Sequence, residues 1–150
     1  MVWIIIAAVV WIFVLFFIRM KGVRKYWSVA IWSILIAYFL NEVFVESGFY
    51  LFQDIYYPVQ GIPLAYLIAS AGKGIILIRY IPEEKWWQLA YLILFATVIT
   101  AIEYFTVEVG YLQYLQWSIL NSLIFRLIAF ITLAWLSMLT VRDKTTYLFR

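Results

Sequence analysis

Five long apolar runs constrain this chain more than any other feature of its sequence. Each run is about as long as the roughly 20 residues that a helix needs to cross the hydrocarbon core of a bilayer. Of the 150 residues, 67% are hydrophobic and only 13% are charged, a composition far too apolar for a soluble domain. We therefore expect an all-α, polytopic membrane protein with five transmembrane helices, in which residues 1–150 form a single helical bundle domain. The runs extend roughly over Val2 to Ile18, Tyr26 to Val45, Ile62 to Ile78, Trp86 to Val107 and Trp117 to Leu139.

The basic residues predict the orientation of these helices. Lys and Arg lie in the first connection, in the third connection and at the C-terminus, whereas the second and fourth connections hold acids and no base. Because basic connections stay on the cytoplasmic side, we expect the N-terminus outside and the C-terminus inside. The bases are Arg19, Lys21, Arg24, Lys25, Arg79, Lys85, Arg142, Lys144 and Arg150, and the acids of the outer connections are Glu46, Asp54 and Glu108.

Residue types that are absent exclude several kinds of chemistry. The chain has no Cys and no His, which removes disulfides, thiolate or imidazole metal sites and axial His ligation of haem. We therefore expect no metal and no cofactor. The formal charge of +3 comes from bases at the ends of apolar runs, so we expect membrane lipids and no nucleic acid as partners.

A repeated pattern links the second and fourth helices, which end at Gly48 and Gly110, residues suited to a left-handed cap. Since both helices run outward, the pattern predicts a parallel two-helix internal repeat, with helices 2 and 3 matching helices 4 and 5. Chance similarity between apolar segments is the alternative. The alignment places Asn41 over Glu103, Glu46 over Glu108 and Phe49 over Tyr111, and it brings Lys73 and Arg126 to similar mid-helix positions.

Ionisable residues inside the apolar runs need a physical reason, because a charge there costs on the order of 3 kcal/mol. Glu42 and Glu103 lean inward, whereas Lys73 and Arg126 lie on inward-running helices and lean outward toward them. We expect these four residues to form a charge-balanced cluster in which Arg126 and Glu103 are paired. Gly72 and Gly74 should allow close helix approach around Lys73.

Small and polar residues repeat on one face of each helix and should face the same centre. They predict a cavity that opens toward the outer leaflet, near the aromatic loop from Phe49 to Gly61. The alternative is that the polar faces are packing seams and the charges are structural ion pairs. The predicted ligand-binding residues are Asn41, Glu42, Ser70, Lys73, Glu103, Asn121, Ser122 and Arg126.

Several of these residues also carry a resemblance. The motif from Ile102 through Glu103 to Phe105, followed by Gly110, Leu112, Trp117 and Arg126-Leu127-Ile128, together with Tyr57-Pro58-Val59, resembles an uncharacterised family of small multi-helix membrane proteins from spore-forming Gram-positive bacteria. The resemblance covers roughly Trp27 to Ile131. It implies a bacterial cytoplasmic membrane and marks Glu103 and Arg126 as pattern residues.

A second likeness concerns chemistry. The repeated unit of an acid followed by a glycine and an aromatic residue is similar to small membrane-bound lycopene and meroterpenoid cyclases, in which carboxylic acids protonate isoprenoids. That likeness implies the catalytic acid role for Glu42 and Glu103. The helix number and the eight Trp residues are similar to tryptophan-rich sensory proteins, but their Trp-x-Pro-Pro signature is missing here.

Three functions compete at this point. The leading one is binding of a lipid-like, amphipathic ligand, or of a membrane protein partner or a second copy of the chain, through the buried charged cavity. The first alternative is an enzyme that uses a buried carboxylic acid for isoprenoid or lipid chemistry. The second is a proton- or ion-coupled transporter with Glu103 and Glu42 as carriers.

Overall fold

Helices dominate this fold because backbone polar groups in an apolar segment must be satisfied within the segment itself. A computed structural model describes residues 1–53 and 55–141, so Asp54, Arg142, Lys144 and Arg150 lie outside the described residues. Four helical stretches of the described part are long and apolar enough to cross a membrane: Val2–Lys25, Trp27–Glu46, Lys85–Glu108 and Ile119–Thr140. The helices are α1 (Val2–Phe13), α2 (Arg19–Lys25), α3 (Trp27–Glu46), α4 (Leu64–Arg79), α5 (Lys85–Glu108) and α6 (Ile119–Thr140).

The first helical stretch continues beyond its predicted end. A π-helical segment, Val14–Ile18, joins α1 to α2, so the basic residues from Arg19 to Lys25 extend the helix and do not form a loop. Arg19 has a positive φ of 60° at the junction. This difference arises because Lys and Arg are good helix formers, and the apolar pattern alone does not report where the helix ends.

Helix α4 is the shortest of the four helices that follow α2, and it is the most buried. Its 16 residues extend about 24 Å, and nine of them are buried. Gly72 and Gly74 permit this packing. A Cβ on Gly72 would lie 2.5 Å from Val10 of α1, and a Cβ on Gly74 would lie 2.6 Å from Ser33 of α3. The predicted close approach of helices around Lys73 is confirmed.

The connections contain short strands, which the all-α prediction did not include. Strand β1 (Tyr50–Phe52) pairs antiparallel with β4 (Leu112–Tyr114), and β2 (Pro58–Val59) pairs with β3 (Ile62–Pro63). In the first pair, Leu51 lies opposite Gln113. This pair joins the connection after α3 to the connection after α5 and satisfies backbone groups that no helix can reach. We call this end of the bundle the strand end. The opposite end, which carries α2, Arg79 and Lys85, is the basic end.

The helix ends at the strand end are built alike. Gly48 and Gly110 have φ values of 71° and 82°, so the predicted left-handed caps are confirmed. At the first, Phe49 N donates to Phe44 O at 3.0 Å, and at the second, Tyr111 N donates to Thr106 O at 2.9 Å. The bond from the residue after the glycine back across the last turn is that of a Schellman motif in both helices.

The strand pair adds two more bonds of matching kind. Gln53 N donates to Tyr111 O at 2.9 Å, and Leu115 N donates to Phe49 O at 2.9 Å. When Gly48 is aligned with Gly110, Gln53 corresponds to Leu115 and Phe49 corresponds to Tyr111. The two bonds therefore join equivalent residues. The two connections therefore share one backbone geometry over the cap and the strand.

Helix α5 begins at Lys85, one residue before the predicted apolar run that starts at Trp86. Pro82, Glu83 and Glu84 precede the helix and do not form its first turn, because α5 starts at Lys85. The buried side chain of Gln88 explains this start. Its Nε2 donates to the carbonyl of Pro82 at 3.0 Å and to that of Glu83 at 3.4 Å, which holds the preceding residues in a bend.

The apolar core has two parts, one toward each end of the bundle. The part toward the basic end contains Val29, Ile75, Leu92 and Leu133, and the part toward the strand end contains Trp3, Phe44, Phe52, Ile62 and Leu112. On α4, α5 and α6, the polar residues Ser70, Lys73, Thr100, Glu103, Ser122 and Arg126 lie between these two parts along the sequence.

Candidate functional site

An ion pair between Arg126 and Glu103 joins α6 to α5 among the polar residues that lie between the two parts of the core. Arg126 Nη2 forms an ion pair with Glu103 Oε2, and the two side chains are only 13% and 14% exposed. Arg126 Nη1 also donates to Thr100 Oγ1 at 3.0 Å. The predicted pairing of Arg126 with Glu103 is confirmed. Each charge compensates the other, which offsets part of the cost of removing both from water.

The second carboxylate oxygen of Glu103 is also satisfied. Glu103 Oε1 accepts from Tyr114 Oη at 2.5 Å and from Ser122 Oγ at 2.6 Å. Trp117 Nε1 donates in turn to Ser122 Oγ at 2.7 Å. Burial, and then the nearby negative charge of Glu103, raise the pKa of the Tyr114 hydroxyl, so this group remains a neutral donor. Glu103 acts throughout as an acceptor.

Asn41 occupies the corresponding place on α3. Its Oδ1 accepts from Tyr50 Oη at 2.5 Å, and its Nδ2 donates to the carbonyl of Ala37 at 2.5 Å and to Tyr66 Oη at 3.5 Å. Burial, and then the neighbouring hydroxyl of Tyr66, raise the pKa of Tyr50, which keeps this phenol protonated. The cross-strand partners Tyr50 and Tyr114 thus each donate to a polar residue of a different helix.

Lys73 differs from Arg126 in its contacts, because its ammonium group lies over an aromatic ring. Its Nζ lies 4.7 Å from the ring centroid of Tyr66, in a cation–π contact. Within the described part of the chain it forms no ion pair and donates no hydrogen bond. The side chain is half-buried. Lys73 is therefore a base that the described residues leave without an ion-pair partner.

A divided cavity surrounds these residues. Two chambers, of about 90 and 60 Å³, share one polar floor. A single water needs roughly 10–15 Å³ on the same scale, so each chamber has room for several waters or for part of a larger molecule. The residues that line both chambers are Asn41, Tyr50, Tyr66, Lys73, Ile99, Glu103 and Arg126.

The walls beyond the floor are largely apolar. The α3 chamber, the larger one, lies against α3 and α6, and the α1 chamber lies between α1 and α5. The α3 chamber is walled by Ile36, Leu40, Phe44, Phe125, Phe130 and Leu133, and the α1 chamber by Trp3, Ile6, Val10, Phe52, Ile102 and Leu112. A polar centre between apolar chambers is the usual arrangement of a site for an amphipathic molecule.

The structure brings most of the predicted site residues together, but not all. Asn41, Ser70, Lys73, Glu103, Ser122 and Arg126 line the cavity. Glu42 does not, and it accepts instead from Tyr38 Oη at 3.1 Å. Asn121 also lies apart, where its backbone N–H donates to Ser118 Oγ at the start of α6. The expected balance of two acids against two bases is therefore replaced by Glu103 facing Arg126 and Lys73.

Sequence reasoning missed Tyr50 and Tyr114 as members of the site. Each tyrosine follows a helix-capping glycine within a few residues. That position is the sequence signal that the chain turns back and brings the tyrosine side chain toward the helices. Their pairing across β1 and β4 depends on a contact between distant segments.

Comparisons with models of protein families, with curated proteins and with solved structures each found nothing that matches this chain.

Proposed function

We propose that this protein is a small integral membrane protein that binds a lipid-like, amphipathic molecule. The polar head group would lie on the floor beside Lys73, and the hydrocarbon part would occupy an apolar chamber. The observation that carries the proposal is the cavity itself, in which Lys73 faces both chambers without an ion-pair partner among the described residues. A purely structural role explains the pair of Arg126 with Glu103, but it does not explain the space beside Lys73.

The proposal includes five membrane spans. In addition to the four longer helical stretches, we propose α4 as a membrane span, although it is shorter than they are. Its support is its place in the bundle: Trp11 Nε1 of α1 donates to the carbonyl of Ile68, and Ser33 Oγ of α3 donates to that of Ser70. A helix enclosed by longer helices does not itself have to match the thickness of the bilayer.

The proposed orientation places the N-terminus outside and the C-terminus inside a bacterial cytoplasmic membrane. Support comes from the two ends of the bundle. The basic end carries Arg79, Lys85 and the bases of α2, whereas the connections at the strand end, within the described residues, carry Glu46 and Glu108 and no Lys or Arg. In this orientation the cavity lies toward the outer leaflet.

We further propose that α3–α4 and α5–α6 are a parallel internal repeat. Support comes from the matching cap bonds and from the register of β1 with β4. Leu51 and Gln113, which are opposite each other, are also equivalent when Gly48 is placed over Gly110. The two polar acceptors, Asn41 and Glu103, are equivalent in the same alignment, whereas the tyrosines that donate to them, Tyr50 and Tyr114, are not.

The two alternative functions receive less support from this geometry. Acid catalysis requires a protonated carboxylic acid that faces the cavity. Glu103 instead accepts hydrogen bonds from Tyr114, Ser122 and Arg126, so both of its oxygens are occupied, and Glu42 does not line the cavity. A coupled transporter needs a carboxylate that exchanges its proton or ion, and the same donors occupy Glu103.

The proposal can be tested by obstructing a chamber. Ala129 lines the α3 chamber, whereas Ala101 is exposed on the surface of α5. Protein in an uncharged detergent is incubated with a bacterial polar-lipid extract, and retained amphiphiles are identified by native mass spectrometry. Wild type and the control Ala101→Trp should retain an amphiphile, whereas Ala129→Trp should lose most of it. Binding that is absent from wild type, or equal in both variants, would contradict the proposal.

A further inference from the structure

Lys73 and Arg126 are similar bases in different electrostatic surroundings. Arg126 is paired with Glu103, which stands on the preceding helix. The residue that corresponds to Glu103 on the helix before Lys73 is Asn41, whose side chain is neutral. The carboxylate that would neutralise Lys73 is therefore missing from the protein at the place where the repeat pattern would put it.

The floor of the cavity consequently holds two bases and, among the described residues, one acid. Glu103 neutralises one of the two bases, and the described residues contribute no other acid to either chamber. The hydroxyl of Tyr66 adds a donor, because within the described part it accepts from Asn41 but donates to no acceptor. An ammonium group and a phenol hydroxyl that face one cavity form a site for an acidic group.

We infer that the ligand of this cavity has an anionic head group, a carboxylate or a phosphate, which pairs with Lys73 and accepts from Tyr66. This inference rests on the proposed function and specifies its ligand class. An acidic head supplies the missing counter-ion, so the bound complex is charge-balanced within the bundle. Neutral and zwitterionic amphiphiles cannot do this as well, since a neutral head leaves the ammonium uncompensated and a zwitterion introduces a second cation.

The experiment compares amphiphiles that share one oleoyl chain and differ in their head group. The probes are oleate, lysophosphatidic acid, lysophosphatidylcholine and monooleoylglycerol, titrated into delipidated protein in an uncharged detergent. The carboxylate or the phosphate probe, or both, should bind about tenfold or more tightly than the neutral monooleoylglycerol. The difference between the two acidic probes distinguishes a fatty-acid-like ligand from a phospholipid-like ligand.

Variants at Lys73 complete the test. Lys73→Met should abolish the preference for acidic probes, Lys73→Arg should retain it, and the control Lys85→Met, at the exposed basic end, should leave it unchanged. Gel filtration and circular dichroism verify folding, and the wild-type comparison stands by itself if Lys73→Met does not fold. Equal binding of all four probes to wild type would overturn this inference and leave the proposed function intact. Binding of none would overturn the proposed function itself.

Discussion

At the scale of residues, neighbours decide what a buried charge does. Arg126 meets a carboxylate, two hydroxyl-bearing partners surround that carboxylate, and the resulting network binds α5 to α6. Lys73 meets only the face of an aromatic ring. A cation over a ring is stabilised by about 0.5–2 kcal/mol, which is less than the several kcal/mol needed to desolvate it. The first base therefore links two helices, and the second has no such partner among the described residues.

Removing one member of the ion pair should cost much more than removing both. Arg126→Ala strands the carboxylate of Glu103 inside the bundle, so the free energy of unfolding should fall by roughly 3 kcal/mol or more. The double variant with Glu103→Gln should recover part of this loss. Reversible unfolding of the four proteins in mixed detergent micelles measures the coupling. Strictly additive losses would show that the two residues act independently.

The sequence predicts the pair from Arg126 to Glu103 because the two residues lie on consecutive antiparallel helices and lean toward each other. It does not predict the choice between Asn41 and Glu42. Adjacent residues of a helix point about 100° apart, so only one of them can face the cavity. The neutral one faces inward because Tyr50, a strand residue, supplies its donor. Glu42 finds Tyr38 one turn away on its own helix.

At the scale of elements, α4 packs closely because it lacks side chains at two contact points. Gly72 faces α1, and Gly74 faces α3 and α6. Lys73, the residue between the two glycines, lines the cavity. Each glycine makes the helix less stable by about 1 kcal/mol relative to Ala, but its missing side chain lets the neighbouring helices pack closer.

Adding one methyl group to α4 should therefore destabilise the bundle. In Gly74→Ala the new Cβ would lie 2.6 Å from Ser33 Cβ and 3.2 Å from Leu133, so we expect a loss of roughly 1–3 kcal/mol. The exchange variant Gly74→Ala with Ser33→Gly moves the Cβ to the other helix and should lose less than the sum of the single changes. Thermal unfolding in detergent checks this. An exchange variant as unstable as the sum would contradict the contact.

Helix ends and strands differ in how far the sequence predicts them. The ends at Gly48 and Gly110 are local features, because a left-handed cap depends on one residue. The strands β1 and β4 are three residues each and too short to show a period of two. Their pairing joins the connection after α3 to the connection after α5, two segments about 60 residues apart, and no local pattern contains such a contact.

At the scale of the whole molecule, the distribution of charge is the sequence feature that reports most directly on architecture. The bases of α2, Arg79 and Lys85 lie at the end of the bundle opposite the strands. Hydropathy alone predicts the four helical stretches that, within the described residues, are long and apolar enough to cross a membrane. It does not predict the cavity, because residues of five helices and of the strands line the cavity, and no local pattern reports how they meet.

The proposed orientation predicts that the two ends of the bundle face different compartments. Ser47 and Glu83 are exposed, one at each end, and the natural chain contains no Cys. In intact cells, a membrane-impermeant maleimide should label Ser47→Cys and should label Glu83→Cys only after the membrane is opened. Labelling of both variants in intact cells, or of Glu83→Cys alone, would contradict the orientation.

The pairing of β1 with β4 bears on how such a chain can originate. Leu51 and Gln113 mark the point about which a half-turn exchanges the two strands and their helix caps. If α3–α4 and α5–α6 are the repeat proposed above, two separate copies of one helical hairpin can form the same backbone bonds, so a shorter chain with one hairpin can pair with a second copy through these strands. In such a dimer a mutation changes both equivalent positions at once. On that proposal, the difference between Asn41 and Glu103 requires the two copies to be joined in one chain.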